Sequence, residues 1–336
     1  MDVEVKMSER VLRWGLLSTA HINRSVIPPL RQSSRNELVA VASREKDRAR
    51  SYAQKWEIPH SYGSYEELLA DPTIDVIYNS LPNGLHSEWT IKALQAGKHV
   101  LCEKPIAVTT AQVDAMAAAA QKAGKYLTEA FMYRHHPQTL KVKQLVKDGS
   151  IGKLRLVRGS FTFQIAKEED IRLSSALDGG SIWDVGCYPI SYARFIAGAE
   201  PEEVFGWQVT SQSGVDETFT GQMRFPGGVY AQFDSGFRSP FRTYIEIVGS
   251  EGMIIILKPF KPDDQGSFLL NRGDTVETIT TESQMLYLGE VEDIADAILS
   301  GKAPRISLSD SRANVTTIVA LLQSAREGKP VVLPKL

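Results

Sequence analysis

Short apolar runs alternate with helical patterns through roughly the first 125 residues of the chain. The runs lie at 14–17, 38–43, 75–81, 99–104 and 125–131. Apolar strands separated by helices are typical of a parallel sheet that is covered on both faces. The pattern therefore predicts an α/β fold that begins with a doubly wound, Rossmann-type parallel sheet over residues 1–130.

The pattern changes after Gly149. From Leu154 onward strand-like runs predominate, and turn signals such as the one at 226–228 separate several of them. Polar side chains alternate with apolar neighbours in these runs, so we expect a large, open and mostly antiparallel sheet with one face in water. The polar positions of this alternation are Thr162, Gln164, Gln222, Arg224, Gln232 and Asp234.

Helical patterns near 285–299 and 309–326 close the chain. Together with the second sheet they predict an α+β domain over residues 131–336. The length of 336 residues suits this division into two domains.

Composition excludes several classes of partner. The chain is 43% hydrophobic and 23% charged, and its formal net charge of −2 gives no strong field for nucleic acid or a membrane surface. The first ten residues hold three acidic side chains and no apolar run, so we expect no secretory signal peptide. No stretch approaches the about 18 apolar residues that cross a bilayer. Cys102 and Cys187 form neither a CxxC pair nor a zinc-binding set, which predicts no metal site and a cytoplasmic location.

The first strand leads into a turn that can bind phosphate without the usual glycines. Instead of G-x-G-x-x-G the chain has Ser18, Thr19, Ala20, His21, Ile22 and Asn23. Small residues hold the first and third positions, so the backbone can still approach a pyrophosphate. Amides at a helix N-terminus bind phosphate whether or not they belong to glycine. The alternative is an ordinary strand–helix turn with a Ser/Thr cap.

The end of the second predicted strand indicates which dinucleotide binds. NAD enzymes place an acidic residue there for the ribose 2′-hydroxyl, whereas this chain has Ser43 and Arg44. A guanidinium can form two hydrogen bonds to a 2′-phosphate. We therefore expect NADP(H) to be preferred, with NAD(H) as the other candidate. The alternative for Arg44 is a surface arginine at the start of a charged helix.

The segment AGKHVLCEKP, at 96–105, places a lysine at a strand end. The strand finishes with Glu103 and Lys104, because Pro105 cannot continue the ladder of hydrogen bonds. A side chain at the carboxyl end of a parallel strand points toward the crevice where ligands bind. A solvated lysine is the alternative.

A second segment, GGSIWDVGCY at 179–188, adds a candidate for proton transfer. Asp184 and Tyr188 are four residues apart, so on a helix they share a face. A tyrosine can shuttle a proton if its pKa of about 10 is lowered, and a nearby ammonium lowers it. A core tyrosine and a helix-capping aspartate are the alternatives.

Together these segments resemble the glucose–fructose oxidoreductase/inositol dehydrogenase family, often written Gfo/Idh/MocA. The Leu81-Pro82-Asn83 turn with His86 and the strand end at 129–134 also match, so the resemblance spans the chain. Tyr188 stands where inositol dehydrogenases have histidine. It makes the chain similar to the subgroup of dimeric dihydrodiol dehydrogenases, NADP-linked D-xylose dehydrogenases and some sugar-nucleotide ketoreductases.

The resemblance implies a role for each site residue. Lys104 hydrogen-bonds the reacting oxygen, Tyr188 is the general acid/base, and Asp184 positions the substrate or polarises the network. The residues implied to lie at the nicotinamide or to anchor the cofactor are Leu81, Pro82, Asn83, His86, Glu103 and Arg134. A structural salt bridge is the alternative for Arg134. The resemblance also implies a homodimer or higher homo-oligomer that forms through the C-terminal sheet.

The implied activity is hydride transfer between NADP(H) and a hydroxyl or carbonyl carbon of a small sugar, dicarbonyl or dihydrodiol. One alternative is a ketoreductase for a nucleotide-linked keto-sugar, which needs basic residues for a diphosphate. The candidates for that role are Lys167, Arg172, Arg238 and Arg242. Another alternative is a catalytically silent NADP-binding regulator. His135 and His136 lie where the chain enters the second domain, and at most one of them should face the cleft, since neighbours in an extended chain point to opposite sides.

Overall fold

A computed structural model describes residues 10–167 and 169–334 of the chain. In these residues the strands form a six-stranded sheet and a nine-stranded sheet. No helix in this part is both long enough and apolar enough to span a bilayer. Residues 1–9, which belong to the segment where the sequence predicts no signal peptide, lie outside the described part.

The first sheet has the predicted doubly wound parallel architecture. Its strands are Leu12–Leu16 (β1), Asn36–Ala42 (β2), His60–Tyr62 (β3), Val76–Asn79 (β4), His99–Glu103 (β5) and Leu127–Ala130 (β6). They pair in the order β3-β2-β1-β4-β5-β6, and every pairing is parallel. The order reverses between β1 and β4, which opens a crevice at the carboxyl ends of the strands. The sequence pattern missed β3, because its three residues give no apolar run.

Helices separate these strands along the chain. They are Asn23–Gln32 (α1), Lys46–Lys55 (α2), Tyr65–Ala70 (α3), His86–Gln95 (α4) and Thr110–Ala123 (α5). Leu16, Val41 and Ile77 are fully buried, which explains why the strands read as continuous apolar runs. Side chains set the helix ends: Thr109 and Gln112 form a reciprocal capping box at the start of α5.

The second sheet is mostly antiparallel, as predicted. Its strands are Leu154–Gln164 (β7), Glu203–Thr210 (β8), Asp216–Phe225 (β9), Val229–Gly236 (β10), Arg238–Gly249 (β11), Met253–Ile256 (β12), Gln265–Arg272 (β13), Thr275–Ser283 (β14) and Val331–Val332 (β15). They pair in the order β14-β13-β12-β11-β7-β10-β9-β8-β15. Among the described strands of this second sheet, only β7 and β10 pair in parallel. The accompanying helices are Pro137–Lys147 (α6), Cys187–Ala197 (α7), Leu288–Ser300 (α8) and Leu308–Glu327 (α9).

One face of the second sheet packs against helices and the other carries polar side chains. α7 packs on β7 and α9 packs on β8, whereas Gln164, Gln222 and Gln232 are exposed. The expectation for Thr162 is wrong, because this residue is buried and its hydroxyl donates to the Pro240 carbonyl at 2.8 Å. The cause is a register shift in β11, which brings the Pro240 backbone over Thr162.

Arg134 lies in the interior, away from the crevice. Its guanidinium donates to Ser191 Oγ at 3.1 Å, pairs with Asp310 Oδ2 at 3.0 Å and lies 4.1 Å from the centre of the Phe195 ring. Arg194, also buried, shares the Asp310 carboxylate at 2.9 Å. The expectation that Arg134 anchors cofactor or substrate is therefore corrected: the residue forms a structural salt bridge that ties α9 to α7.

Replacing Arg134 by methionine should lower stability and leave nucleotide affinity unchanged. The variant removes one cation from a buried network, which costs on the order of 3 kcal/mol. Urea unfolding measures the free energy, and fluorescence titration measures NADPH binding. Arg312→Met is the matched control, since Arg312 pairs with Asp114 at an exposed site, and its effect should be much smaller. Normal stability of Arg134→Met combined with weak NADPH binding would restore the anchoring role.

Candidate active site

Lys104 follows β5 directly and lies at the crevice of the first sheet. Its Nζ donates to the backbone carbonyl of Asp184 at 2.7 Å and to Asp184 Oδ1 at 3.1 Å. Burial alone lowers the pKa of Lys104, but the Asp184 carboxylate outweighs it and raises the pKa above its usual value. The lysine is therefore a charged ammonium that joins the first sheet to the segment before α7.

The glycine pair of the GGxxxDxGxY segment begins a wide turn. Gly180 has a φ of 121°, and a Cβ there would lie 2.4 Å from Asp216 Oδ1. The Asp216 carboxylate also accepts the Ser181 hydroxyl at 2.6 Å and the Ile182 backbone N–H at 2.8 Å. Asp216 thus fixes the chain where a π-helical turn, Ile182–Gly186, begins.

The π-helical turn presents Asp184 to Lys104. In a π-helix each carbonyl accepts from the backbone N–H five residues later. For Asp184 that residue is Pro189, which has no N–H. The Asp184 carbonyl is therefore left to accept from Lys104. The ring centre of Tyr188 lies 5.0 Å from Lys104 Nζ. The structure therefore brings together the three residues to which the sequence assigned chemistry.

Asp184 is shared between two cations. Its Oδ2 accepts from Arg172 Nε at 2.9 Å, while Oδ1 faces Lys104. Burial would raise the pKa of Asp184, but the charges of Lys104 and Arg172 outweigh it and hold the pKa below its usual value. The side chain of Arg172 is 41% exposed and also pairs with Asp170, so it forms the rim of the site.

Tyr188 is buried among aromatic rings. The rings of Phe131, Phe161 and Phe260 lie 5.5, 5.3 and 5.3 Å from its own, and its hydroxyl donates to Met132 Sδ at 3.8 Å. Burial raises the pKa of the phenol well above its usual value. The expectation that an ammonium lowers this pKa is wrong, because Lys104 faces the ring and donates to Asp184 instead of to the hydroxyl.

The Glu103 side chain is buried beneath the site, together with the side chains of Tyr78 and Glu290. Its carboxylate accepts the Tyr78 hydroxyl and, at 3.2 Å, the backbone N–H of Lys104. Glu290, on α8, is 1% exposed and faces the same group. Burial raises the pKa of both carboxyls, that of Glu290 well above its usual value. Glu103 therefore holds the strand end from beneath.

The turn that follows β4 is fixed by its own side chains. His86 is 1% exposed, and its ring nitrogens lie 2.8 Å from the Pro105 carbonyl and 2.7 Å from the Leu81 carbonyl. Burial lowers the pKa of His86 to about 4. Pro82 is half-buried, and Asn83 donates to the Asp178 carbonyl at 2.9 Å, which links this turn to the second domain. His86 thus joins two turns and does not open into the crevice.

The turn after β1 is held in place beneath its backbone. Ser18 Oγ lies 2.8 Å from Ser80 Oγ and accepts the Ala20 N–H at 3.1 Å, while Asn23 donates to the Ser18 carbonyl at 2.7 Å. Thr19 and Ile22 are half-buried and His21 is exposed. No side chain caps α1 and no acidic residue lies in its first turn. This helix start can accept an anion.

A cation that the sequence analysis missed, Arg48, lies near the end of β2, at the start of α2. Ser43 is buried and Arg44 is exposed. Arg44 and Arg48, one helical turn later, both lie close enough to Tyr65 for their charges to act on its phenol. The i,i+4 spacing of the two arginines at the start of α2 was the signal for Arg48.

The two adjacent histidines are placed away from Lys104. His135 Nε2 lies 3.3 Å from Asp293 Oδ2, and His136 caps α6 by accepting the Gln138 N–H at 3.2 Å. Both rings are buried. Neither is positioned to exchange a proton at the site.

The basic residues that were candidates for binding a diphosphate differ in how they are paired. Arg172 reaches the site, whereas Arg242 binds Asp234 and Ser160, Arg238 pairs with Glu217, and Lys167 is exposed. Lys261, which no sequence motif marks, follows Phe260 and lies within electrostatic range of Lys104 and Asp184.

Comparison with known proteins gives a consistent result. Residues 12–131 match the model of an oxidoreductase family with an NAD-binding Rossmann fold, and residues 139–255 match the GFO/IDH/MocA C-terminal domain. A D-xylose 1-dehydrogenase (NADP(+)) of Haloferax volcanii is 37% identical over 327 residues, which cover 96% of this chain and 100% of the relative.

Two further relatives cover almost the whole chain. A trans-1,2-dihydrobenzene-1,2-diol dehydrogenase of Mus musculus is 32% identical, over 96% of this chain and 98% of its own length. The crystal structure of a 3-ketoreductase from Actinomadura kijaniata, in complex with NADP and TDP-benzene, superposes with a TM-score of 0.89 at 31% identity, over 94% and 98% of the two chains. The chain therefore belongs to the Gfo/Idh/MocA family of oxidoreductases.

Proposed function

We propose that the chain transfers a hydride between NADP(H) and a hydroxyl or carbonyl carbon of a small sugar, dicarbonyl or dihydrodiol. One observation carries the proposal: charged Lys104 lies between ionised Asp184 and protonated Tyr188 at the carboxyl end of β5. This is the edge of the sheet where a nicotinamide would meet a substrate. The names of the Haloferax and mouse relatives, which give a sugar and a diol as substrates, support the substrate class.

The residues around the first crevice fit a dinucleotide. The uncapped start of α1, beside Ser18, Thr19 and Ala20, suits a pyrophosphate because it offers backbone amides without a competing side chain. Arg44 and Arg48 would bind a 2′-phosphate, which favours NADP(H) over NAD(H). Pro82, Asn83 and the backbone of Glu103 would line the nicotinamide end. When bound, the cofactor supplies or accepts the hydride.

The chain's own side chains handle the proton. The Tyr188 hydroxyl donates it to the oxygen of a carbonyl substrate, and its only acceptor among the described residues is the weakly accepting sulfur of Met132. Lys104 stabilises negative charge on the same oxygen. Asp184 remains ionised, so it can orient substrate hydroxyls while it holds Lys104 in place.

The second candidate is a ketoreductase acting on a nucleotide-linked keto-sugar. Arg172 at the rim favours it, and so does the similar 3-ketoreductase solved with TDP-benzene. A catalytically silent regulator would have no need of both Lys104 and Tyr188.

We further propose that residues 1–130 bind the dinucleotide and that residues 131–336 bind substrate and form a homodimer through the polar face of the second sheet. Trp207, Val209 and Tyr230 on that sheet are 58%, 56% and 52% exposed, which suits a surface that another copy covers. A cytoplasmic location agrees with two free, buried thiols.

Arg44→Ala should weaken NADPH binding about 10- to 100-fold, because it removes a charge-assisted bond to the 2′-phosphate. NADH binding should change little. Arg50→Ala, two residues after Arg48 and so on another side of α2, is the control. Fluorescence titration measures the affinities of the wild type and of both variants for NADPH and for NADH. Equal NADPH and NADH binding by the wild type would contradict the cofactor assignment.

Lys104→Met should lower kcat about 10²- to 10⁴-fold, because it removes the ammonium at the reacting oxygen. NADPH affinity should change far less. Steady-state kinetics on substrates found by screening aldoses, dicarbonyls and dihydrodiols measure the loss. Lys92→Met, at an exposed pair with Glu88, is the control. Near-normal turnover of Lys104→Met would refute its role.

Tyr188→Phe should lower kcat and kcat/KM together, because the hydroxyl acts only as hydride moves. Since the pKa of the phenol lies above its usual value, it remains a proton donor through neutral and mildly alkaline pH. Carbonyl reduction should therefore show no loss attributable to Tyr188 between about pH 6 and 9. A Phe variant with unchanged kcat would make Tyr188 a packing residue only.

A further inference from the structure

Lys261 is exposed and makes no hydrogen bond or ion pair with another described residue. It lies within electrostatic range of Lys104, Asp184 and Arg172. It follows Phe260, which is fully buried and lies 5.3 Å from the Tyr188 ring. The loop between β12 and β13 therefore supplies an aromatic wall and an ammonium in consecutive positions. Because Phe260 is fixed by packing, the backbone of Lys261 is held beside the site.

Within the described part of the chain, Lys261 forms no ion pair with a carboxylate, whereas the two cations near it do. Lys104 and Arg172 share Asp184, and Arg172 also pairs with Asp170. Loss of solvent and the ammonium of Lys104 lower the pKa of Lys261. An anion at the mouth would relieve this repulsion.

The mouth extends beyond the reacting groups. Phe241 is 68% exposed, and its ring meets that of Phe161 edge-on at 6.3 Å, next to Tyr188. The irregular register of β11 between Arg238 and Arg242 places it there. The exposed ring of Phe241 and the residue before Lys261, Phe260, therefore both belong to the aromatic cluster around Tyr188.

We propose that the substrate carries an anionic group, phosphoryl or carboxylate, which Lys261 binds at the mouth while the reacting carbon lies at Tyr188. This inference rests on the hydride transfer proposed above, and it differs from that proposal in the charge of the substrate. It favours sugar phosphates, sugar acids or nucleotide-linked sugars over neutral aldoses and dihydrodiols. Lys261 determines specificity and takes no part in proton transfer.

The test compares Lys261→Gln with Lys258→Gln. Lys258 lies on the same loop but pairs with Asp263 at 2.6 Å, so the control removes the same charge away from the site. Kinetics are measured with D-glucose, D-glucuronate and D-glucose 6-phosphate, which separate neutral, carboxylate and phosphoryl substrates. Calorimetry on the NADP-saturated protein measures binding of the two anionic sugars and of uridine diphosphate, independently of turnover.

We expect the wild type to prefer one of the two anionic sugars. Lys261→Gln should lose about 10- to 100-fold in affinity or in kcat/KM for that sugar, and the loss in kcat/KM should come from a higher KM. Turnover of neutral sugar should be unchanged in both variants. Turnover of D-glucose with no anionic preference, or equal behaviour of the two variants, overturns the inference and leaves the proposed function intact. Anion binding that depends on Lys261 without turnover of the bound sugar overturns the inference, because the anion would then not belong to a substrate. It leaves the proposed function to the screen of aldoses, dicarbonyls and dihydrodiols. Absence of anion binding by calorimetry overturns the inference whatever the activity.

Discussion

The buried ion pair between Lys104 and Asp184 is the constraint on which the active site depends. It connects the end of β5 to the turn before α7, and so sets the separation between the crevice of the first sheet and the aromatic cluster around Tyr188. Removal of Asp184 would leave the Lys104 charge buried without its counterion, at a cost of several kcal/mol, whereas removal of Lys104 would leave Asp184 paired with Arg172. A second link, from the Thr128 hydroxyl to the Ile306 carbonyl at 3.1 Å, holds the same two parts together. The geometry of the site is thus built into the packing of the chain.

Five of the six strands of the first sheet could be predicted because they are covered on both faces and read as apolar runs. The strands missed by the pattern are β3 and β15, which are short, β14, which is largely exposed, and β13, whose only apolar run is at 268–270. Lys104, Asp184 and Tyr188 could be assigned because each lies in a local segment whose spacing is tied to one strand end or one turn. Their arrangement needs only the local chain and the parallel topology.

Features that depend on distant partners could not be predicted. Arg134 lies four residues beyond the end of β6, where a binding residue was expected, but Asp310, far along the chain, neutralises it in the interior. The pKa of Tyr188 follows from burial among rings that come from three separate segments, and not from the lysine that the motif places nearby. Lys261 has no motif at all, since only the fold of the β12–β13 loop brings it to the mouth.

The π-helical turn at Ile182–Gly186 has a consequence for how this protein can change. Such a turn amounts to one extra residue in an otherwise regular helix. Deleting a residue there would let the segment relax into an ordinary helix, with better backbone hydrogen bonds and a firmer start to α7. A deletion between Asp184 and α7 would also rotate Asp184 by about 100° relative to α7, turning it away from Lys104. In this segment a shorter and more stable helix is therefore incompatible with the active site, and mutational gains in stability here would be expected to come with loss of turnover.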